Sequence, residues 1–186
     1  MKLNYDPSKI GEYETKWWIA HNDKDKESLK KYLALQNMEL YGVDETTAGK
    51  MVVFLFTAVK YHDTRDWAGA VAQMVEFYDL VKQQSGLQFN SRQIAELEIG
   101  WSELHDKLER NPDKTELAIA FAKLYGAIFG FPSEEFMDGG NVRARATREH
   151  DLAEDPGTPS QDVEMHWEKA KQYLITFYAL LKAKVN

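Results

Sequence analysis

The sequence predicts an all-α fold of about eight helices arranged as two pseudo-symmetric four-helix repeats, residues 1–86 and 87–186, packed into one helical bundle domain. Three observations predict it. Apolar residues recur at three- and four-residue spacing along nearly the whole chain. No run combines two-residue alternation with flanking turn signals, so no strand is expected. Finally, Ile10, Glu12, Glu14, Trp17 and His21 recur in order as Ile94, Glu96, Glu98, Trp101 and His105. His62-Asp63 likewise recurs as His150-Asp151, and Trp67, Ala70, Phe77, Tyr78, Leu80 and Lys82 as Trp167, Ala170, Phe177, Tyr178, Leu180 and Lys182.

The elements follow from local signals. Asp6-Pro7-Ser8 opens a first helix carrying Ile10, Tyr13 and Trp17 on one face, and Asn22 and Asp23 break it. A second helix over 26–41 buries Leu29, Leu33 and Leu40 and stops at Gly42. Asp44 caps a third, whose Met51, Phe54, Leu55, Ala58 and Val59 are dense enough for the centre of a bundle, and which ends near His62. Thr64 or Asp66 caps a fourth, with Trp67, Ala70, Met74, Phe77, Tyr78 and Val81 at helical spacing, and Ser85-Gly86 closes the first half. The second half repeats the scheme with helices over 91–108 and 114–129, separated by Asn111-Pro112 and followed by Gly130. Ser133 caps the next helix, which Asp138-Gly139-Gly140 is expected to interrupt. A mobile loop over 154–161 precedes a last helix over 162–184.

Composition narrows the function classes. The 186 residues are 44% apolar and 12% aromatic, enough for a buried core. Twenty-three basic and 30 acidic residues leave a net charge of -7, with no basic cluster, which argues against nucleic acid as a partner. The chain has no cysteine, so thiol nucleophiles and thiolate metal sites are excluded, and a metal would need nitrogen and oxygen ligands: iron, manganese or zinc. The N-terminal segment lacks the apolar core of a signal peptide, and the run 51–59 is too short to span a bilayer. The expectation is a cytoplasmic protein without membrane association, acting on a small molecule or a protein partner and permitting a homodimer.

Polar residues present in both halves are the candidates for chemistry. Glu14 and His21 share a helix face about two turns apart, as do Glu98 and His105. One ion held by both members of such a pair needs further ligands from other helices, which the His-Asp doublets supply. The candidate metal ligands are therefore Glu14, His21, His62 and Asp63 in one half and Glu98, His105, His150 and Asp151 in the other, with a metal-dependent hydrolase or oxidoreductase as the implied class. Arg143, Arg145 and Arg148, close before His150, are candidates for gripping an anionic substrate.

The order of one His, a later His-Asp pair and a further Asp resembles the pattern of the HD phosphohydrolase superfamily. In the first half it falls on His21, His62-Asp63 and Asp79, and in the second on His105, His150-Asp151 and Asp155 or Asp162. The resemblance covers those positions alone, and an internal duplication is not part of the pattern. The competing interpretation makes the same histidines helix-end residues of an interaction or scaffold module, where an imidazolium suits the C-terminal dipole.

Overall fold

The computed structural model describes residues 3–186. It is all-helical: α1 (Pro7–Asn22), α2 (Lys26–Tyr41), α3 (Glu45–Asp63), α4 (Trp67–Ser85), α5 (Ser91–Leu108), α6 (Thr115–Phe129), a 3-10 turn at Ser133–Phe136, α7 (Met137–Glu154) and α8 (Ser160–Val185). No strand occurs among the described residues. Among the described residues no helix is long and apolar enough to cross a membrane.

Helix boundaries follow the side-chain chemistry of the ends. Asp6, Asp25, Asp44, Asp66 and Asn90 each accept a hydrogen bond from a free amide of the first turn. Gly42, Gly86 and Gly130 supply the left-handed residue that ends α2, α4 and α6. By contrast, α1 and α3 end on Lys24 and Arg65 at φ 59° and 58°. Their amides donate to the carbonyls of His21 and His62, while Asp25 and Asp66 donate to Ala20 and Tyr61. The backbones of His21 and His62 thus form the same stop.

Three expectations are corrected. Gly139-Gly140 does not interrupt a helix but lies inside α7, which starts only after the 3-10 turn. A Cβ at Gly140 would fall 2.2 Å from the Ala118 carbonyl oxygen, so the bare backbone is what lets α7 lie against α6. The second concerns α3, which occupies the rim rather than the centre: Val53 is 62% and Val59 48% exposed. Lys50, Thr57 and Lys60 interrupt its apolar residues, whereas α6 has buried residues nearly all round. The expected loop over 154–161 is also shorter, because Pro159 already caps α8.

Each helix packs on its successor, and α8 returns to α1, so the eight close into a ring. Residues 3–86 and 87–186 meet where α4 packs on α5 and α8 on α1. The main core runs through both, with Ile10, Met51, Ala70, Phe77, Val81, Ile94, Ile128, Phe177 and Leu181 buried together. Full burial of one such large apolar side chain contributes about 1.5–3 kcal/mol.

Candidate metal centre

The ring brings α5, α6 and α7 together at the end where α5 stops. His105 projects from the last turn of α5, and His150 and Asp151 from the last turns of α7. His105 Nε2 lies 2.8 Å and His150 Nδ1 3.2 Å from Asp151 Oδ1. On the other carboxylate oxygen, Lys114 Nζ forms an ion pair at 2.6 Å. The same ammonium donates to the carbonyls of Leu108 and Glu109, fixing the α5–α6 connection. Glu154, one turn beyond His150, places Oε1 3.2 Å from its Nε2.

Burial shapes this cluster. Trp18 and Trp167 set their rings edge-on to His150 at centroid distances of 4.7 and 5.6 Å, and the His105 ring is 5.9 Å away. Desolvation works against a charged His150, but hydrogen bonds and charge from Asp151 and Glu154 outweigh it and lift the imidazole to about 9. Burial likewise opposes ionisation of Asp151. His105, His150 and Lys114 overcome it and hold the carboxyl well below the usual carboxylate range. At neutral pH a protonated His150 therefore sits between two carboxylates.

Sequence reasoning pointed to His105, His150 and Asp151 but missed Lys114 and Glu154. Both left a signal. Lys114 occupies the N-cap of α6, where a cation faces the positive end of the helix dipole and needs a compensating anion. Glu154 follows His150 at the four-residue spacing that pairs side chains on one helix face.

The first half is arranged differently. His21 and Asp63 are exposed, and only the carbonyl of His21 is used, in the α1 stop. His62 packs on Trp67 at 5.1 Å and lies 3.3 Å from Asp106 of α5. Of the further aspartates in the superfamily-like pattern, Asp79 accepts from Ser91, and Asp155 accepts from the Gly157 amide. Among the described residues, His105, His150 and Asp151 are the one group of three such side chains whose ligand atoms converge, all within 4.8 Å, and they could hold a metal ion.

Glu14 lies in the core instead and Glu98 is half-buried at its edge, and each is met by a tyrosine from the other part of the chain. Tyr178 donates to Glu14 Oε2 at 2.6 Å, and Tyr78 to Glu98 Oε2 at 2.8 Å. Glu14 also receives Gln36 Nε2 at 3.1 Å and Arg143 Nη2 at 2.5 Å. Arg143, expected to face a substrate, is only 5% exposed, and its guanidinium lies over the rings of Trp18, Phe121 and Phe177. Arg145 and Arg148 remain exposed.

Burial raises the Glu98 pKa above its ordinary 4.5, only partly offset by the Tyr78 hydroxyl. The folded chain therefore holds this proton at pH values where the unfolded chain has lost it. Stability from this group is greatest below 4.5 and falls as pH rises toward the elevated folded value. Glu98→Gln keeps an acceptor for Tyr78 and removes the titration. Urea unfolding between pH 4.5 and 8 should show the variant gaining on the parent as pH rises; parallel curves would contradict the assignment.

A cleft of about 180 Å³ opens beside the cluster, between the α5–α6 connection and the end of α7, with Lys114 and Asp151 in its lining. The site thus combines two imidazoles with an oriented carboxylate, and of the three Asp151 lines the cleft. Comparison with protein-family models, curated proteins and solved structures finds no match to this chain.

Proposed function

We propose that this protein binds a divalent metal ion through His105, His150 and Asp151 and uses it in hydrolytic or redox chemistry on a small molecule. The convergence of three donor atoms from α5 and α7 within 4.8 Å carries this reading. Two nitrogens and one oxygen without sulfur suit zinc, iron or manganese. When bound, such an ion supplies Lewis acidity toward water or a substrate oxygen, or redox capacity. Lys114 then acts as the outer partner that orients the Asp151 carboxylate. His150 must give up its proton to ligate, so affinity should strengthen as pH rises toward 9. Trp18 and Trp167 keep water from the inner side of His150.

Elemental analysis after mild purification, with thermal melts in added zinc or manganese, tests the proposal. The expected result is about one ion per chain, and a stabilisation near 2.7 kcal/mol at a hundredfold excess of metal over its dissociation constant. His105→Ala and Asp151→Asn should abolish both effects. No bound metal, and identical melts with metal and with chelator, would sink it.

A further inference from the structure

The groove between α1 and α2 is closed, and the one between α5 and α6 is open. Tyr13 and Tyr32 stack across the first with ring centroids 6.4 Å apart, and Lys16 Nζ lies 5.3 Å from the centre of the Tyr32 ring. In the second, small residues stand at the comparable places. Gly100 precedes Trp101 as Lys16 precedes Trp17, and Ala120 stands as far before Gly130 as Tyr32 does before Gly42. A groove of about 300 Å³ remains, lined by the half-buried Leu97, Trp101 and Leu104 and by the exposed Gly100 and Ile119. A Cβ at Gly100 would meet nothing within 4 Å, and Ile119 is 39% exposed.

The charges of the groove decide what can cover it. Glu116 and Lys123, both exposed, lie two turns apart on α6, roughly 10 Å along its axis, with Ile119 and Ala120 midway between them. Neither makes an ion pair among the described residues. Glu96, the remaining charge of the lining, is held by Arg92 at 3.0 Å. Along α6 the stripe therefore runs negative, apolar, positive. A two-fold axis through Ile119 and Ala120 makes it its own complement: Glu116 meets Lys123 of a second copy at both ends, and each Ile119 reaches the gap over the other copy's Ala120 and Gly100. A symmetric contact between identical chains requires this self-complementarity. The apolar residues of α3 lack it. Val53 is more exposed than Ile119, but Lys50 and Lys60 flank it without an ion pair among the described residues, so two copies laid face to face there would set lysine against lysine.

We propose that the chain forms a symmetric dimer through the α5–α6 groove, with Ile119 at its apolar centre and two Glu116–Lys123 pairs at its ends. The contact makes no use of His105, His150 or Asp151, so it stands apart from the metal-site reading.

Sedimentation equilibrium of the chelator-treated full chain tests it. The parent should show a monomer–dimer equilibrium. Ile119→Asp and Gly100→Lys should each weaken association roughly tenfold or more, and Glu116→Lys and Lys123→Glu should do the same by setting like charges together. Mixing the last two variants restores both ion pairs across the axis, so the mixture should dimerise at least as tightly as the parent. All four positions are exposed, so circular-dichroism melts of the variants, at a concentration where the parent is monomeric, should not fall below the parent's. A parent that stays monomeric up to about 1 mM, an Ile119→Asp chain that associates like the parent, or a mixture no tighter than its components would overturn the inference. Association lost in Val53→Asp but kept in Ile119→Asp would move the contact to α3 and overturn it equally.

Discussion

Arg143→Ala is expected to destabilise the chain by about 3–5 kcal/mol, seen as a large fall in the urea midpoint. The substitution leaves Glu14, 1% exposed, with its charge in the core and only the Tyr178 hydroxyl and the Gln36 amide for support. It also empties the space between Trp18, Phe121 and Phe177, whose ring faces lie within 5.6 Å of the guanidinium carbon. Charge and cavity effects therefore add. The control is Glu14→Leu combined with Arg143→Met, which removes both charges while keeping most of the volume. Buried ion pairs replaced in this way often cost little, so the double variant should recover most of the loss. A single-variant cost below about 1 kcal/mol would show that the pair is not desolvated as described.

Gly140→Ala should cost about 3 kcal/mol, at the upper end of ordinary overpacking. Its Cβ would meet the Ala118 carbonyl oxygen at 2.2 Å and the Ala122 methyl at 3.2 Å. Backbone cannot rotate aside as a flexible side chain does, so α7 must move off α6. That movement would also carry Asp151 away from Lys114 and His105, and metal affinity should fall with stability. Gly49 and Gly100 provide the contrast. A Cβ at either meets nothing within 4 Å, and alanine there should gain about 0.5–1 kcal/mol. Equal melting temperatures for Gly140→Ala and the parent would refute the tight α6–α7 contact.

What could be read in advance divides along physical lines. Caps and stops act within a few residues, so Asp44, Asp66, Gly42 and Gly130 announced their helix ends directly. Gly139-Gly140 looked like a break because glycine is intrinsically a poor helix former, whereas here the neighbouring carbonyl of Ala118 decides its role. The densely apolar α3 was expected at the centre for want of knowing which neighbours it would have. The same limit applies at the site. Recurrence drew attention to His105, His150 and Asp151, but recurrence alone does not distinguish a side chain that converges from one, like His21, whose carbonyl merely ends a helix. The partner of Glu14 was hidden most deeply, because an arginine before a His-Asp pair reads as a surface group until it is known that α7 turns Arg143 toward α1.

The union of Glu14 with Arg143 and Tyr178 carries a consequence for synthesis. During translation α1 emerges first, yet the groups that neutralise and cover its buried carboxylate lie 129 and 164 residues further along the chain. Until then the growing polypeptide carries an amphipathic helix whose inner face has a charge in place of a partner. Contacts of such long sequence separation form late and slowly. α1 can pack on α2 as soon as both have emerged, and closure of the ring by α8 on α1 is expected to come late in folding.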